Sequence, residues 1–354
     1  KNDGLQDQDV LYKLDGLLGE PTILLDPNPL SEDGTIALMQ QSYSEDGSLL
    51  AYSLAESGSD WQEIFVLNTD SGKTSKESLK WCKFPGIAWV KDNNGFFYNR
   101  LTEPQYVWDD NTDLLSQIFW HKLGTFQSDD TLIYQNPDDP GLRYFPLATE
   151  DKKYLLLYTS RGTDRRNGIL YRAMDGNEEF KTLVQDGEAK FWYLGNQGCI
   201  FYFLSDLNAP LGRVIAVDVD NPDRRNWKEI ISEGEDTLAE VALWGNHFVV
   251  VTFHHAYNQI LIYNLEGSFL KEISLPTMGT VALLEGHQDD HDIFFSFESF
   301  LYPRTIFLYD LETGTLTPIQ PPILDFNTAD YQTVQVFYQS QDGTRVPMFL
   351  THNK

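Results

Sequence analysis

The chain repeats itself about every fifty residues, and that period limits its fold more than any other feature. An apolar run ends in a hydrophobic residue followed closely by Asp, Asn, Glu or Gly. The mark occurs at Leu14-Asp15-Gly16, Leu67-Asn68, Leu123-Gly124, Met174-Asp175-Gly176, Val219-Asp220-Asn221, Leu265-Glu266-Gly267 and Leu311-Glu312, at intervals of 53, 56, 51, 45, 46 and 46 residues. Helical periodicity is nearly absent. The runs Leu49–Ala55, Glu63–Leu67, Gly95–Leu101, Tyr154–Thr159, Cys199–Leu204, Phe248–Phe253 and Asp292–Phe297 are short, β-branched or aromatic, and bounded by turn formers, so they read as strands. A period of roughly 40–50 residues built of several short strands is that of a propeller blade. One four-stranded sheet cannot bury both faces, but seven packed radially share a continuous core. The expectation is an all-β, seven-bladed propeller of four-stranded antiparallel sheets with an incomplete first blade. The 22 Phe, 18 Tyr and 8 Trp supply large side chains to fill the wedges between blades.

Within a copy, an aromatic strand is followed by a connection of roughly 8–12 residues and then by the strand that carries the mark. The connections read as Ser160–Gly168, His254–Gln259 and Glu298–Arg304. Asp33-Gly34, Asp46-Gly47 and Asp342-Gly343 read as hairpin turns, since such pairs tolerate positive φ.

Charge excludes some functions. With 26 Lys and Arg against 53 Asp and Glu, the net charge of −27 disfavours nucleic acid and anionic membrane faces. The excess reads either as a solubilising surface or as a negative rim that admits cationic ligands. No apolar stretch approaches ~18 residues, so no membrane-spanning helix is expected. Two cysteines, Cys82 and Cys199, fit a reducing, cytoplasmic setting better than a disulfide scaffold.

Catalytic motifs are missing. There is no G-x-S-x-G elbow, the nearest approach being Gly58-Ser59-Asp60, and no phosphate loop, C-x-x-C or H-E-x-x-H. His287 and His291, with Asp289, Asp290 and Asp292, form the best metal-like cluster but read as a solvated loop. Asp218, Asp220 and Asp223 lack the Gly and Glu of a calcium loop. His254-His255 has no carboxylate orienter nearby in sequence and reads as packing or loop polarity. His121 reads as a satisfied sheet histidine. Neither a metal nor a cofactor is expected.

Several stretches together resemble the prolyl oligopeptidase family of serine peptidases. They are Leu25–Asn28, Ser31–Leu38, Ser44–Ile64, Lys83–Asn99, Phe297–Leu311 and Asp330–His352. The Ser57-Gly58-Ser59-Asp60-Trp61 run and the hairpin from Asp342 to Phe349 are the specific ones. The resemblance implies an α/β-hydrolase domain wrapped around an inserted seven-bladed propeller, with the catalytic Ser, Asp and His all downstream of that hairpin. On this reading residues 1–324 are the propeller and residues 325–354 open the second hydrolase segment. No catalytic residue is expected in this chain. The first hydrolase segment is also expected to be missing, leaving an unpaired first-blade edge prone to self-association.

The resemblance carries over four substrate-side positions. Phe84 matches a phenylalanine lining the substrate pocket, against the plainer reading of inter-blade packing. Asp60 matches an acid that pairs with a substrate-binding arginine of the hydrolase domain, against that of a turn acid. Ser160–Thr163 matches a loop near the active site, where relatives often have Arg and Cys. Ser160 and Thr163 stand in their place and Arg161 lies one position along. The implied partners are short proline-containing peptides and the hydrolase domain of the same parent chain. Glu103–Asp113 reads as a loop at the domain interface. The competing reading is an autonomous interaction scaffold, which is disfavoured because Trp-Asp occurs only once, at Trp108-Asp109.

Overall fold

The computed structural model describes every residue except 1, 3, 18, 104–113, 177, 285 and 323. The Glu103–Asp113 loop therefore lies outside the described residues from position 104 onward. The chain forms two compact units, Lys1–Glu188 and Ala189–Lys354.

The first unit opens with a two-stranded sheet, β1 (Leu11–Lys13) and β2 (Thr22–Leu25). Three four-stranded sheets follow. The second is β3 (Ile36–Tyr43), β4 (Leu49–Glu56), β5 (Trp61–Asn68) and β6 (Lys73–Lys83). The third is β7 (Ile87–Trp89), β8 (Gly95–Leu101), β9 (Ser116–Lys122) and β10 (Thr131–Gln135). The fourth is β11 (Arg143–Ala148), β12 (Tyr154–Ser160), β13 (Asn167–Ala173) and β14 (Lys181–Ala189). The second unit continues with β15 (Phe191–Gln197), β16 (Ile200–Ser205), β17 (Arg213–Asp218) and β18 (Lys228–Ile231). Next come β19 (Thr237–Trp244), β20 (His247–His254), β21 (Tyr257–Asn264) and β22 (Phe269–Ile273). The seventh sheet is β23 (Thr280–Leu283), β24 (Asp292–Glu298), β25 (Thr305–Asp310) and β26 (Leu316–Ile319), and a hairpin of β27 (Tyr331–Gln339) and β28 (Arg345–Asn353) closes the chain.

Among the described residues this is a seven-bladed propeller succession, six blades with four strands and the first with two. Each blade is an antiparallel meander in chain order. The repeating mark has one structural meaning. Leu67 lies in β5, and Leu123, Met174, Val219, Leu265 and Leu311 directly follow β9, β13, β17, β21 and β25. Each marks the end of a blade's third strand, where the chain turns out to the fourth. Leu14 directly follows β1, so β1 and β2 occupy the third and fourth places of the first blade. Among the described residues its first and second places hold no strand.

The cores lie between neighbouring sheets. Ala51, Ile64 and Val66 of the second pack with Trp89, Phe96, Tyr98 and Phe119 of the third. In the second unit, Val249, Ile260 and Ile262 pack with Ile293, Phe295, Phe297 and Phe307. All but Val66, Trp89, Phe119 and Phe307 in these sets are 1% exposed or less, so apolar area removed from water, at about 25 cal/mol per Å², is what holds blade to blade.

Two local expectations are corrected. His254–Gln259 is not a connection of 8–12 residues. The strands run into it, His254 pairs with Tyr257, and the turn is only His255-Ala256, at φ +44° and +73°. Alternating side chains on both strands keep the ladder going to its last rung, which propensity alone does not reveal. Asp46-Gly47 and Asp342-Gly343 do turn the β3–β4 and β27–β28 hairpins, but Asp33-Gly34 sits in the loop entering β3.

Candidate functional site

Asp60 and Phe84 come together because of strand register. In the second blade the last rung pairs Trp61 at the start of β5 with Lys83 at the end of β6. Asp60 precedes the one and Phe84 follows the other, so the two lie side by side on the edge where the second strand turns into the third and the fourth leaves for the next blade. Trp61 packs edge-on against Trp81 with ring centroids 6.1 Å apart, and Lys83 Nζ lies 4.8 Å from the Trp61 centroid. Below them Ser53 Oγ donates to Gln62 Oε1 at 2.6 Å. The Gly86 amide donates to buried Asn99 at 2.7 Å, fixing the exit of the Phe84-Pro85 segment.

This edge stores backbone strain. Ser57, Trp81 and Phe84 have φ of +54°, +66° and +49°. A residue with a Cβ pays roughly 1–2 kcal/mol for such a backbone. Phe84 is 50% exposed despite its aromatic ring. Asp60 is exposed, and among the described residues its carboxylate has neither a hydrogen-bond nor an ion-pair partner. Strain, a half-exposed ring and an unpaired acid on one edge are what a contact surface for another body presents.

Arg161 lies at the corresponding edge of the fourth blade, after β12. Its Nη1 and Nη2 donate to the two oxygens of Asp139 at 3.1 and 2.6 Å, and Nη2 is 3.5 Å from Asp186. The guanidinium holds the Asp139 carboxyl below the usual range, and Asp139 in turn raises Arg161. Thr159, bonded to Asp186 at 2.9 Å and to the Gly168 amide at 2.7 Å, braces the loop base. Thr163 is exposed in the turn beyond. The structure thus joins Asp60 with Phe84, and Arg161 with the loop of Thr163, on equivalent edges of two blades that have β7–β10 between them in sequence. Sequence reasoning missed Trp81, Asp139 and Asp186. The two tryptophans beside Asp60 and Phe84 were a usable signal, whereas the acids become partners only through the fold.

The other candidates resolve as follows. His254 has no carboxylate nearby in sequence, but the fold supplies one, since Nδ1 lies 2.7 Å from Asp236, which immediately precedes β19. His121 meets Asp130 through Nδ1 at 2.7 Å, while its buried Nε2 has no hydrogen-bond partner among the described residues. Asp290 accepts from the His287 amide at 2.6 Å within a turn. Asp218 and Asp220 meet Cys199 rather than Asp223, which caps a short 3₁₀ turn and pairs with Arg225. Burial, then Asp218 and Asp220, push the Cys199 thiol up and keep it protonated.

The second unit holds a cavity of about 370 Å³ at the turn edge of its last two blades, lined by Tyr257, Glu298, Phe300, Arg304 and Phe349 among others. The closing hairpin forms one wall. Phe349 lies 6.0 Å from Phe300 and Phe337 lies 5.3 Å from His255, centroid to centroid.

Residues 1–322 match the family model described as the prolyl oligopeptidase N-terminal β-propeller domain. The chain belongs to the prolyl oligopeptidase family. It is 34% identical over its full length to the prolyl endopeptidase of Elizabethkingia meningoseptica and 31% identical to prolyl oligopeptidase A of Galerina marginata. It spans 50% and 52% of those two proteins, about half the length of the curated relatives it matches. The solved structure of prolyl oligopeptidase B from Galerina marginata superposes with a TM-score of 0.89 at 28% identity, over 99% of this chain and 53% of that one. Among the described residues no helix is long and apolar enough to cross a membrane.

Proposed function

We propose that this chain is the gating and size-filtering propeller of a serine endopeptidase that cleaves short peptides on the carboxyl side of proline, and that the edge bearing Asp60 and Phe84 is its substrate side. The observation that carries the reading is the exposed Asp60 carboxylate, without a partner among the described residues, beside the strained, half-exposed Phe84. An acid without a partner among the described residues suits a cation supplied by another domain, and an aromatic ring held out of the core suits the flat ring of proline. Arg161, neutralised by Asp139, and Thr163 stand at the rim of the same kind of edge on the fourth blade. The lid's part in catalysis is to exclude bulk water and folded proteins and to open for short peptides.

Residues 325–354, with β27 and β28, are read as the start of the second hydrolase segment, whose other strands would continue from that hairpin. Two free cysteines support placement in a reducing, cytoplasmic compartment. The test uses the longer chain that includes the hydrolase half. Phe84→Ala is expected to weaken kcat/KM for a proline peptide about tenfold, the loss of roughly 1.4 kcal/mol of ring contact, mostly through KM. Asp60→Asn is expected to act in the same direction. Unchanged kinetics in both variants would remove this edge from the substrate side.

A further inference from the structure

We infer that the cavity at the end of the second blade away from Asp60 and Phe84 binds an aromatic anion, a flat ring carrying a carboxylate or a phosphate. The cavity has a volume of about 580 Å³ and is lined from the second and third sheets, a size that suits a small ligand. Leu49, Val66 and Leu123 supply its apolar part and belong to the core that also holds Trp89 and Phe96. Lys73 and Lys76 of β6 supply cations, and Phe126 stands in the loop after β9. Register sets the distance. Asn68–Lys73 is one end rung of the β5–β6 hairpin and Trp61–Lys83 is the other. Seven rises of ~3.3 Å along β5 place the cavity roughly 23 Å from the Asp60–Phe84 edge.

Phe126 is an apolar ring held in water. It is 80% exposed, on a loop whose backbone is tied down on either side of it. The Gly124 amide donates to Glu77 at 2.6 Å, the Asp129 amide donates to the Phe126 carbonyl at 2.9 Å, and Gln127 exchanges two 3.1 Å hydrogen bonds with the Lys80 backbone. A ring that ordered backbone keeps out of the core offers its face to whatever enters the cavity. A second ring stacked or set edge-on against it recovers the missing burial.

Charge selects the other half of the ligand. The chain carries 53 acids against 26 Lys and Arg, yet Lys73 and Lys76 are exposed and their ammonium groups have no acid partner among the described residues. The acids nearby are already engaged. Glu77, the one acid in the lining, has a side chain only 9% exposed, and its Oε2 takes the Gly124 amide. Asp70 pairs with Lys13 at 3.0 Å, and Asp130 meets Tyr98 and His121 at 2.7 Å each. Ser75, between the two lysines in sequence, adds a hydroxyl donor to the lining. Two cations and a hydroxyl beside an exposed ring are complementary to a small anion with a ring of its own. The net charge of −27 repels a long polyanion but is screened enough at ordinary ionic strength to leave so local a match intact.

The experiment is calorimetric titration of this chain at neutral pH with naphthyl phosphate, with naphthoate and with uncharged naphthol. Both anions are expected to bind at one site, and naphthol roughly tenfold more weakly. The tighter of the two anions tells whether the natural source is a phosphate ester or a carboxylate. Lys73→Gln combined with Lys76→Gln is expected to weaken both anions about tenfold, to the level of naphthol, and Phe126→Ala to weaken them about fivefold. All three side chains are exposed, so an unchanged Tm in each variant is expected and shows that the fold is intact. No saturable heat with either anion, naphthol bound as tightly as the anions, or full affinity kept in the lysine variant or in Phe126→Ala would overturn the inference.

Discussion

Phe84 separates a residue held for contact from one held for packing, and its stability cost can be worked out in advance. The ring is 50% exposed, so about 100 Å² of its surface is covered, given that a fully buried aromatic covers roughly 150–250 Å². At about 25 cal/mol per Å² that is at most ~2.5 kcal/mol, and a compact unfolded state brings Phe84→Ala to about 2 kcal/mol. A packed core phenylalanine costs about 3–5 kcal/mol. The φ of +49° adds a second handle. Alanine keeps the left-handed strain and glycine releases it, so Phe84→Gly should cost roughly 0.5–1 kcal/mol less than Phe84→Ala, net of the extra freedom of unfolded glycine. The assay is urea unfolding of the chain and both variants, followed by tryptophan fluorescence at equal protein concentration. An alanine loss of 4 kcal/mol or more, or a glycine variant no better than alanine, would refute the reasoning and make Phe84 an inter-blade packing residue.

Further outcomes follow from other sites. Asp46 accepts from the Ser48 amide at 3.0 Å and from the Ser44 and Ser48 hydroxyls at 2.8 Å, which lowers it to about 2. Because the folded carboxyl sits below its ordinary 3.8, its stabilising effect is complete above about pH 4 and is lost as the pH falls toward 2. Asp46→Asn should flatten the fall of Tm across that window, and an unaltered acid profile would count against the assignment. At Gly267, φ is +80° and an added Cβ would lie 1.7 Å from the Ile230 carbonyl oxygen. Gly267→Ala is therefore expected to cost about 3 kcal/mol or more in urea unfolding, and a loss under 1 kcal/mol would show that the turn yields. The open edge of β1 should make the chain self-associate with rising concentration in light scattering, whereas a monomer at every concentration would contradict it.

Much of the fold was legible because the repeat is physical. The hydrophobic residue ending each third strand must anchor where the chain turns outward, and Leu67, Val219 and Leu311 are buried there. Period and blade number could therefore be read from spacing alone. The short His255-Ala256 turn was not legible, since neither residue type announces a left-handed backbone. The Ser57–Trp61 run and the Lys83-Phe84-Pro85 segment were each singled out by resemblance, but their adjacency rests on the Trp61–Lys83 register, a tertiary fact. The same holds for Asp236 beside His254, Asp139 beside Arg161 and Glu77 beside His121. In an acidic chain carrying 53 carboxylates, sequence proximity cannot single out which one meets a given arginine or histidine.

The most direct test of the account is hydrolysis of a fluorogenic peptide with proline on the amino side of the scissile bond. It is measured with this 354-residue chain alone and with the longer chain carrying the hydrolase half. No turnover is predicted for the first, and turnover blocked by a serine-directed inhibitor for the second. Cleavage by the 354-residue chain alone would contradict the reading of it as a lid without its own catalytic residues.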